Sequence, residues 1–125
     1  MPQHGAPARI LVVDDDQAVR DFACEALSQQ GHAVLAARDG VEALEILEKE
    51  AAAIDLMVTD VVMPGLNGFS LASVVKGRWP EIRILYVTGF YELAQAEMGE
   101  RFGNVLQKPF RARQLASEVG KALVA

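Results

Sequence analysis

The chain has 125 residues, of which 51% are hydrophobic, with a formal net charge of −5 and a single cysteine, Cys24. That length suits one domain with a single core, and the apolar share excludes a disordered chain. The acidic balance excludes a basic nucleic-acid surface, no apolar run approaches the about 20 residues of a membrane-spanning helix, and one cysteine excludes an internal disulfide, as in a reducing cytoplasm.

Residues 1–8 lack a basic segment followed by an apolar one, so they are not a secretory signal. They are expected to form a mobile N-terminal arm ahead of one domain over residues 9–125. Residues 9–14 are short, apolar and β-branched, which predicts a buried strand. It runs into Asp14, Asp15 and Asp16. Two like charges about 4 Å apart repel by roughly 4 kcal/mol at an effective dielectric of 20. Such a cluster persists only if it is spread into solvent, bound to a metal or paired with a lysine.

Asp16 is expected to cap a helix over 17–29, with Val19, Phe22, Ala23, Ala26 and Leu27 on its inner face and Gly31 at its end. Residues 32–37 form a second expected strand. Asp39 followed by Glu42 resembles a capping box, opening a helix to Glu50 with Val41, Leu44 and Leu47 inward. Leu56 to Asp60 is a third strand, and the breakers of Met63-Pro64-Gly65-Leu66-Asn67-Gly68 predict a loop. A helix over 68–78 buries Leu71, Val74 and Val75 and closes at Trp79-Pro80. Residues 82–87 form a fourth strand. Between Gly99 and Gly103 on one side and Thr88 on the other there is room for only a short fourth helix, over 91–101. Residues 104–107 form a fifth strand, and a last helix over 111–123 turns Leu115, Val119, Ala122 and Leu123 inward.

Five strands alternating with five helices predict an α/β fold, a parallel sheet covered on both faces. Ligands of such sheets bind beyond the carboxyl ends of the strands, where the strand order reverses. The polar groups of this chain fall at those ends: the acids after the first strand, Asp60 after the third, Thr88 after the fourth and Lys108 after the fifth. Taken singly, each has a plain explanation as a cap, a turn residue, a β-branched strand end or a surface charge. Their joint placement predicts one site. His4 and His32 are lone histidines far from a second ligand, and Cys24 is expected to fill core.

Val12-Val13-Asp14-Asp15, Val58-Thr59-Asp60 with Met63-Pro64-Gly65, Val87-Thr88-Gly89 and Lys108-Pro109-Phe110, in that order, resemble the receiver domain of two-component response regulators. The resemblance covers nearly the whole chain after the first eight residues. It implies a flavodoxin-like, receiver-type fold with strand order 2-1-3-4-5. It implies that Asp60 is the phosphoacceptor. Mg²⁺ would be held by Asp15, Asp60 and the backbone carbonyl of Val62, with Asp14 acting through water. Thr88 and Lys108 would contact the phosphoryl oxygens. It also implies a Lys108-Pro109 bond that is often cis, aiming the lysine at the site. The implied function is a switch in a phosphorelay, not an enzyme beyond its own phosphorylation and dephosphorylation. Its partner would be a histidine kinase or histidine phosphotransferase. It would be cytoplasmic, without direct nucleic-acid or membrane binding, and its output would pass through protein contacts.

Three features set this chain apart within that resemblance. Val105 stands where the family carries an aromatic on the fifth strand, and the fourth helix region is short. Val62 and Phe90, two places after Asp60 and Thr88, make an apolar rim that predicts slow hydrolysis of an acyl phosphate. The methionine start and short arm favour a free-standing domain over a fragment of a larger kinase or regulator. The alternative is a Mg²⁺-dependent phosphohydrolase of the haloacid dehalogenase type. Those enzymes place their nucleophile in an Asp-x-Asp pattern on the first strand and carry a cap insertion. A flavodoxin-like phosphate binder is disfavoured, because three acids in the first strand-to-helix loop would repel a phosphate.

Overall fold

The computed structural model of the protein describes residues 7–89 and 105–124. Its elements follow one another as β1 (Arg9–Val13), α1 (Gln17–Gln29), β2 (Ala33–Ala37), α2 (Gly40–Glu50), a 3₁₀ turn (Ala51–Ala53), β3 (Leu56–Asp60), α3 (Gly68–Arg78), β4 (Arg83–Thr88), β5 (Val105–Gln107) and α4 (Ala112–Val124). Four α-helices are therefore seen among the described residues. The helix expected over 91–101 lies outside them, and α4 is the last of the five expected helices. The five strands form one parallel sheet in the order β2-β1-β3-β4-β5. This is the expected order, and it puts the reversal between β1 and β3.

The side-chain alternation of a strand divides the core in two. Leu11, Val13, Met57, Ile84 and Tyr86 face α2 and α3, where Ala43, Leu47, Leu71, Ala72 and Val75 meet them. Ile10, Val12, Leu56, Val58, Leu85, Val87 and Leu106 face α1 and α4, against Ala23, Ala26, Leu27, Leu115, Val119 and Ala122. Burying a side chain of Leu or Val size contributes about 1.5–3 kcal/mol, so both layers are needed to hold the sheet. On the outer edge, Tyr86 pairs in register with Val105. Its ring packs edge-on against Phe69 of α3, with centroids 5.3 Å apart.

The helix starts follow from their caps. Asp16 accepts from the amides of Ala18 and Val19, and Asp39 accepts from Glu42. Glu42 reaches back to the amide of Arg38 rather than to that of Asp39, so the capping box is displaced by one residue. Asn67 caps α3 through the amide of Ser70, a role its place in the breaker run concealed.

Three expected core residues are exposed: Phe22, Val41 and Val74. The helical period explains each, since successive residues turn by about 100°. Val41 lies two positions before the buried Ala43 and so on the opposite face of α2. Val74 and Phe22 sit about 90–110° from the centres of their buried stripes, and Phe22 instead meets Phe110 at 6.0 Å between centroids. Ala8, the last residue of the expected arm, is buried, and its carbonyl accepts from the amide of Ala33. Residues 1–6 lie outside the described residues. The same is true of His4, and of Phe90 from the expected apolar rim.

At the far end of α3, the Arg78 guanidinium forks onto Glu48 of α2 at 2.6 and 2.9 Å and lies 4.3 Å over the Trp79 ring. The hydrogen bond from Arg78 lowers the Glu48 pKa. Trp79 is the C-cap of α3, as its position before Pro80 predicts.

Candidate functional site

The strand register assembles the site. Val13 pairs with Thr59, so the next residue of each strand, Asp14 and Asp60, meet side by side at the carboxyl ends of β1 and β3. Asp60 pairs with Val87, which brings Thr88 to the same level on β4. Thr88 pairs with Gln107, which places Lys108 one step beyond the end of β5. Four segments distant in sequence thus end at one rim of the sheet.

Asp14, Asp60 and Thr88 are buried. Each of Asp14, Asp15 and Asp60 presents a carboxylate oxygen within 4.8 Å of the other two, with Asp15 on the exposed side. The Lys108 ammonium lies 2.9 Å from Asp14 Oδ2 and 3.3 Å from Asp60 Oδ2, bridging the two buried acids. Its backbone amide donates to the Thr88 carbonyl at 2.9 Å, and the Lys108–Pro109 bond is cis. Gly89 lies beside the lysine, where a Cβ would be 3.9 Å from the Lys108 Cβ. Val62 is exposed at the start of the loop after Asp60.

Electrostatics follow from this packing. Burial, and then the neighbouring charge of Asp14, push the Asp60 carboxyl up to about 6; Lys108 opposes them and Asp15 adds to them. For Lys108, burial alone would lower the ammonium. The hydrogen bond to Asp14 and the charges of Asp60 and Asp14 outweigh that and hold it above its ordinary value. At Asp60, Lys108 therefore does not fully offset burial and the charges of Asp14 and Asp15.

An all-oxygen donor set of carboxylates suits a hard divalent cation such as Mg²⁺ or Ca²⁺. Burial and the Asp14 charge raise the Asp60 pKa, and a cation bound at the carboxylates would oppose both. The residues present therefore fit a metal ion.

Other candidates lie elsewhere. Asp16 caps α1, as expected. His32 stands at the opposite end of the sheet, before β2, where its Nδ1 accepts from the Ala8 amide. Burial lowers its pKa. Cys24 is half-buried on α1, its thiol pushed up by burial and by Asp21.

Two residues at the site escaped the sequence reading. Arg20 of α1 donates from Nη1 to the Asp14 carbonyl at 2.7 Å. Its signal was its place one helical turn after the acids, which reads equally as a solvated charge. Gly68 opens α3 with its amide on the Val61 carbonyl at 2.8 Å. A Cβ there would overlap the Asp60 carbonyl oxygen and lie 2.9 Å from Val61 Cα. In sequence it was one of several loop breakers.

The family model of the response regulator receiver domain matches residues 10–120. The response regulator receiver protein CpdR of Brucella abortus (strain 2308) is 36% identical over 119 residues, covering 94% of this chain and 98% of CpdR. The sensor kinase CckA of the same strain is 40% identical over 119 residues, which are 93% of this chain but 12% of the kinase. Among solved structures, the chemotaxis protein CheY4 of Vibrio cholerae superposes with a TM-score of 0.83 at 30% identity, covering 94% of this chain and all of that one.

Proposed function

The chain belongs to the response regulator receiver domain family, and from that premise we propose that it is a phosphorylation-dependent switch of a two-component phosphorelay. Asp60 would accept the phosphoryl group from a phosphohistidine of a histidine kinase or histidine phosphotransferase. The observation that carries this reading is the convergence of Asp14, Asp15, Asp60 and Lys108 on one pocket at the reversal of strand order.

The roles follow from chemistry. An Asp60 carboxylate oxygen attacks phosphorus, the bond from phosphorus to the donor nitrogen breaks, and the donor imidazole keeps the electron pair. Phosphoryl transfer asks mainly for alignment and for positive charge around the equatorial oxygens. Lys108, already beside Asp60, moves its ammonium from carboxylate to phosphoryl oxygen. The Thr88 hydroxyl donates to a second oxygen. Asp14, Asp15, Asp60 and the Val62 carbonyl would hold Mg²⁺. When bound, this ion neutralises charge on the phosphoryl oxygens. The reading as a haloacid dehalogenase finds no support: the family matched is the receiver domain, and the acid that Asp14 and Lys108 flank is Asp60, on β3 and not on β1.

Intact mass after incubation with acetyl phosphate and MgCl₂ tests the proposal. The unsubstituted protein gains one phosphoryl group and Asp60→Asn gains none. No gain in the former, or an equal gain in both, overturns it.

A second expected result concerns the lifetime of the acyl phosphate. Val62, two residues after Asp60, is exposed, and its apolar side chain offers no hydrogen bond to an attacking water. Val62→Asn supplies one and is expected to shorten the half-life severalfold, read by loss of the phosphoryl mass with time. An unchanged half-life would rule out this role for the rim.

The output is proposed to run through altered protein contacts on the β4–β5–α4 side, which Thr88 and Lys108 adjoin. Phosphorylation is expected to change amide exchange at Thr88 and over residues 105–115. Rates that stay the same there would count against this output surface.

A further inference from the structure

We infer that Arg20 is a positioning residue for the cation site, holding the Asp14–Asp15 peptide in the orientation that presents both acids to one ion; this rests on the reading of the pocket given above.

The argument starts from the peptide group. The Asp14 carbonyl oxygen belongs to the planar unit that ends at the Asp15 Cα. Fixing that oxygen fixes the plane, and with it the direction in which Asp15 leaves the turn. Arg20 Nη1 donates to this oxygen at 2.7 Å. The other groups of Asp14 are held as well: its amide donates to Ala37, Oδ1 accepts from Asp16 and Oδ2 meets Lys108. Asp15 differs. It is exposed, and among the described residues no side chain donates to its carboxylate. Its place within 4.8 Å of Asp14 and Asp60 therefore depends on the direction in which its backbone leaves the turn.

Arg20 can set it because its own backbone is fixed. Its amide donates to the Asp16 carbonyl at 2.9 Å, in the turn that Asp16 caps through Ala18 and Val19. The residue grips the acid turn twice, by main chain at Asp16 and by side chain at Asp14. A carbonyl accepts more strongly from a charged donor than from a neutral one, and the half-buried guanidinium is pre-organised for the contact.

Charge and geometry make opposite predictions, which makes the inference testable. A guanidinium held on the backbone of the acid turn adds positive charge near the cation, so removing it should tighten Mg²⁺ binding by Coulomb's law. Removing a group that orients metal ligands should weaken binding, by about tenfold on the scale of outer-shell partners elsewhere.

The experiment is calorimetric titration of MgCl₂ into the unsubstituted protein, Arg20→Ala, Arg20→Gln and Arg20→Lys, with circular dichroism confirming the fold. The expected result is about tenfold weaker binding for Arg20→Ala and Arg20→Gln, with Arg20→Lys within about twofold of the unsubstituted protein, since its ammonium can still donate to the carbonyl. A merely structural role would lower thermal stability without this loss and rescue of affinity. Unchanged or tighter binding by Arg20→Ala overturns the inference and leaves the pocket intact. If Arg20→Ala does not fold, the Gln and Lys variants decide by the same comparison. No Mg²⁺ binding by the unsubstituted protein overturns this inference together with the reading of the pocket.

Discussion

Asp60→Asn is expected to make the metal-free protein more stable at pH 7.5 by about 1–3 kcal/mol, and the gain is expected to fade as the pH falls toward 4.5. The reason is the displacement of the Asp60 carboxyl from 3.8 to about 6 by burial and by the Asp14 charge. A carboxyl whose folded pKa is raised favours the folded state only when protonated. The folded state therefore carries a penalty that is absent below pH 3.8, grows between 3.8 and 6, and is fully present above 6. That displacement corresponds to about 3 kcal/mol. An amide mimics the protonated acid and removes the penalty. It also takes a charged partner from Lys108, which keeps Asp14 at 2.9 Å, so the gain falls short of the full amount. Urea unfolding in the presence of a chelator, at pH 7.5 and pH 4.5, measures both values. Equal stability of the two proteins at pH 7.5, or a gain that does not shrink in acid, would show that Asp60 is not under charge strain. Mg²⁺ should narrow the difference at pH 7.5, because it stabilises most the form that keeps all three carboxylates.

Gly68→Ala is expected to destabilise the fold by about 2–4 kcal/mol, against the direction of helix propensity. Alanine is ordinarily favoured over glycine in a helix by about 0.8–1 kcal/mol. Here the added Cβ would overlap the Asp60 carbonyl oxygen and lie 2.9 Å from Val61 Cα. Both neighbours are backbone, and both are pinned. Asp60 is paired in the ladder to β4, and the Val61 amide donates to the Val87 carbonyl at 3.1 Å. Neither can move without shifting the site, and overpacking of this kind typically costs about 1–3 kcal/mol before the broken Gly68–Val61 hydrogen bond is added. Gly77 of the same helix is the control: a Cβ there meets nothing within 4 Å. Gly77→Ala is expected to stabilise by about 0.5–1 kcal/mol. The two variants should move the urea midpoint in opposite directions. A Gly68→Ala protein as stable as the parent would show that the loop after Asp60 yields more easily than the packing indicates.

The strands and four of the helices were legible in the sequence because hydrophobic period and turn chemistry agree along nearly the whole chain; the strand order was implied by the resemblance to receiver domains. The candidate site was legible for the same reason: Asp14, Asp60, Thr88 and Lys108 close separate apolar runs, and parallel pairing sends all such ends to one edge. What could not be read depends on three-dimensional proximity. Arg20 and a solvent-facing arginine have the same sequence signature until the Asp14 carbonyl is seen beneath the guanidinium. Gly68 gave a turn signal, whereas its fixed property is the closeness of another peptide group. Phe22, Val41 and Val74 lie outside the core because an apolar stripe on paper is wider than the contact a helix makes with a sheet.

Tyr86 and Val105 face each other across the outermost strand pair, one large and one small. At this level the inner strand carries the ring, packed edge-on against Phe69. The border strand thus meets the phenol with a small β-branched side chain, and the aromatic bulk of this strand pair lies inward, against the helix that carries Phe69.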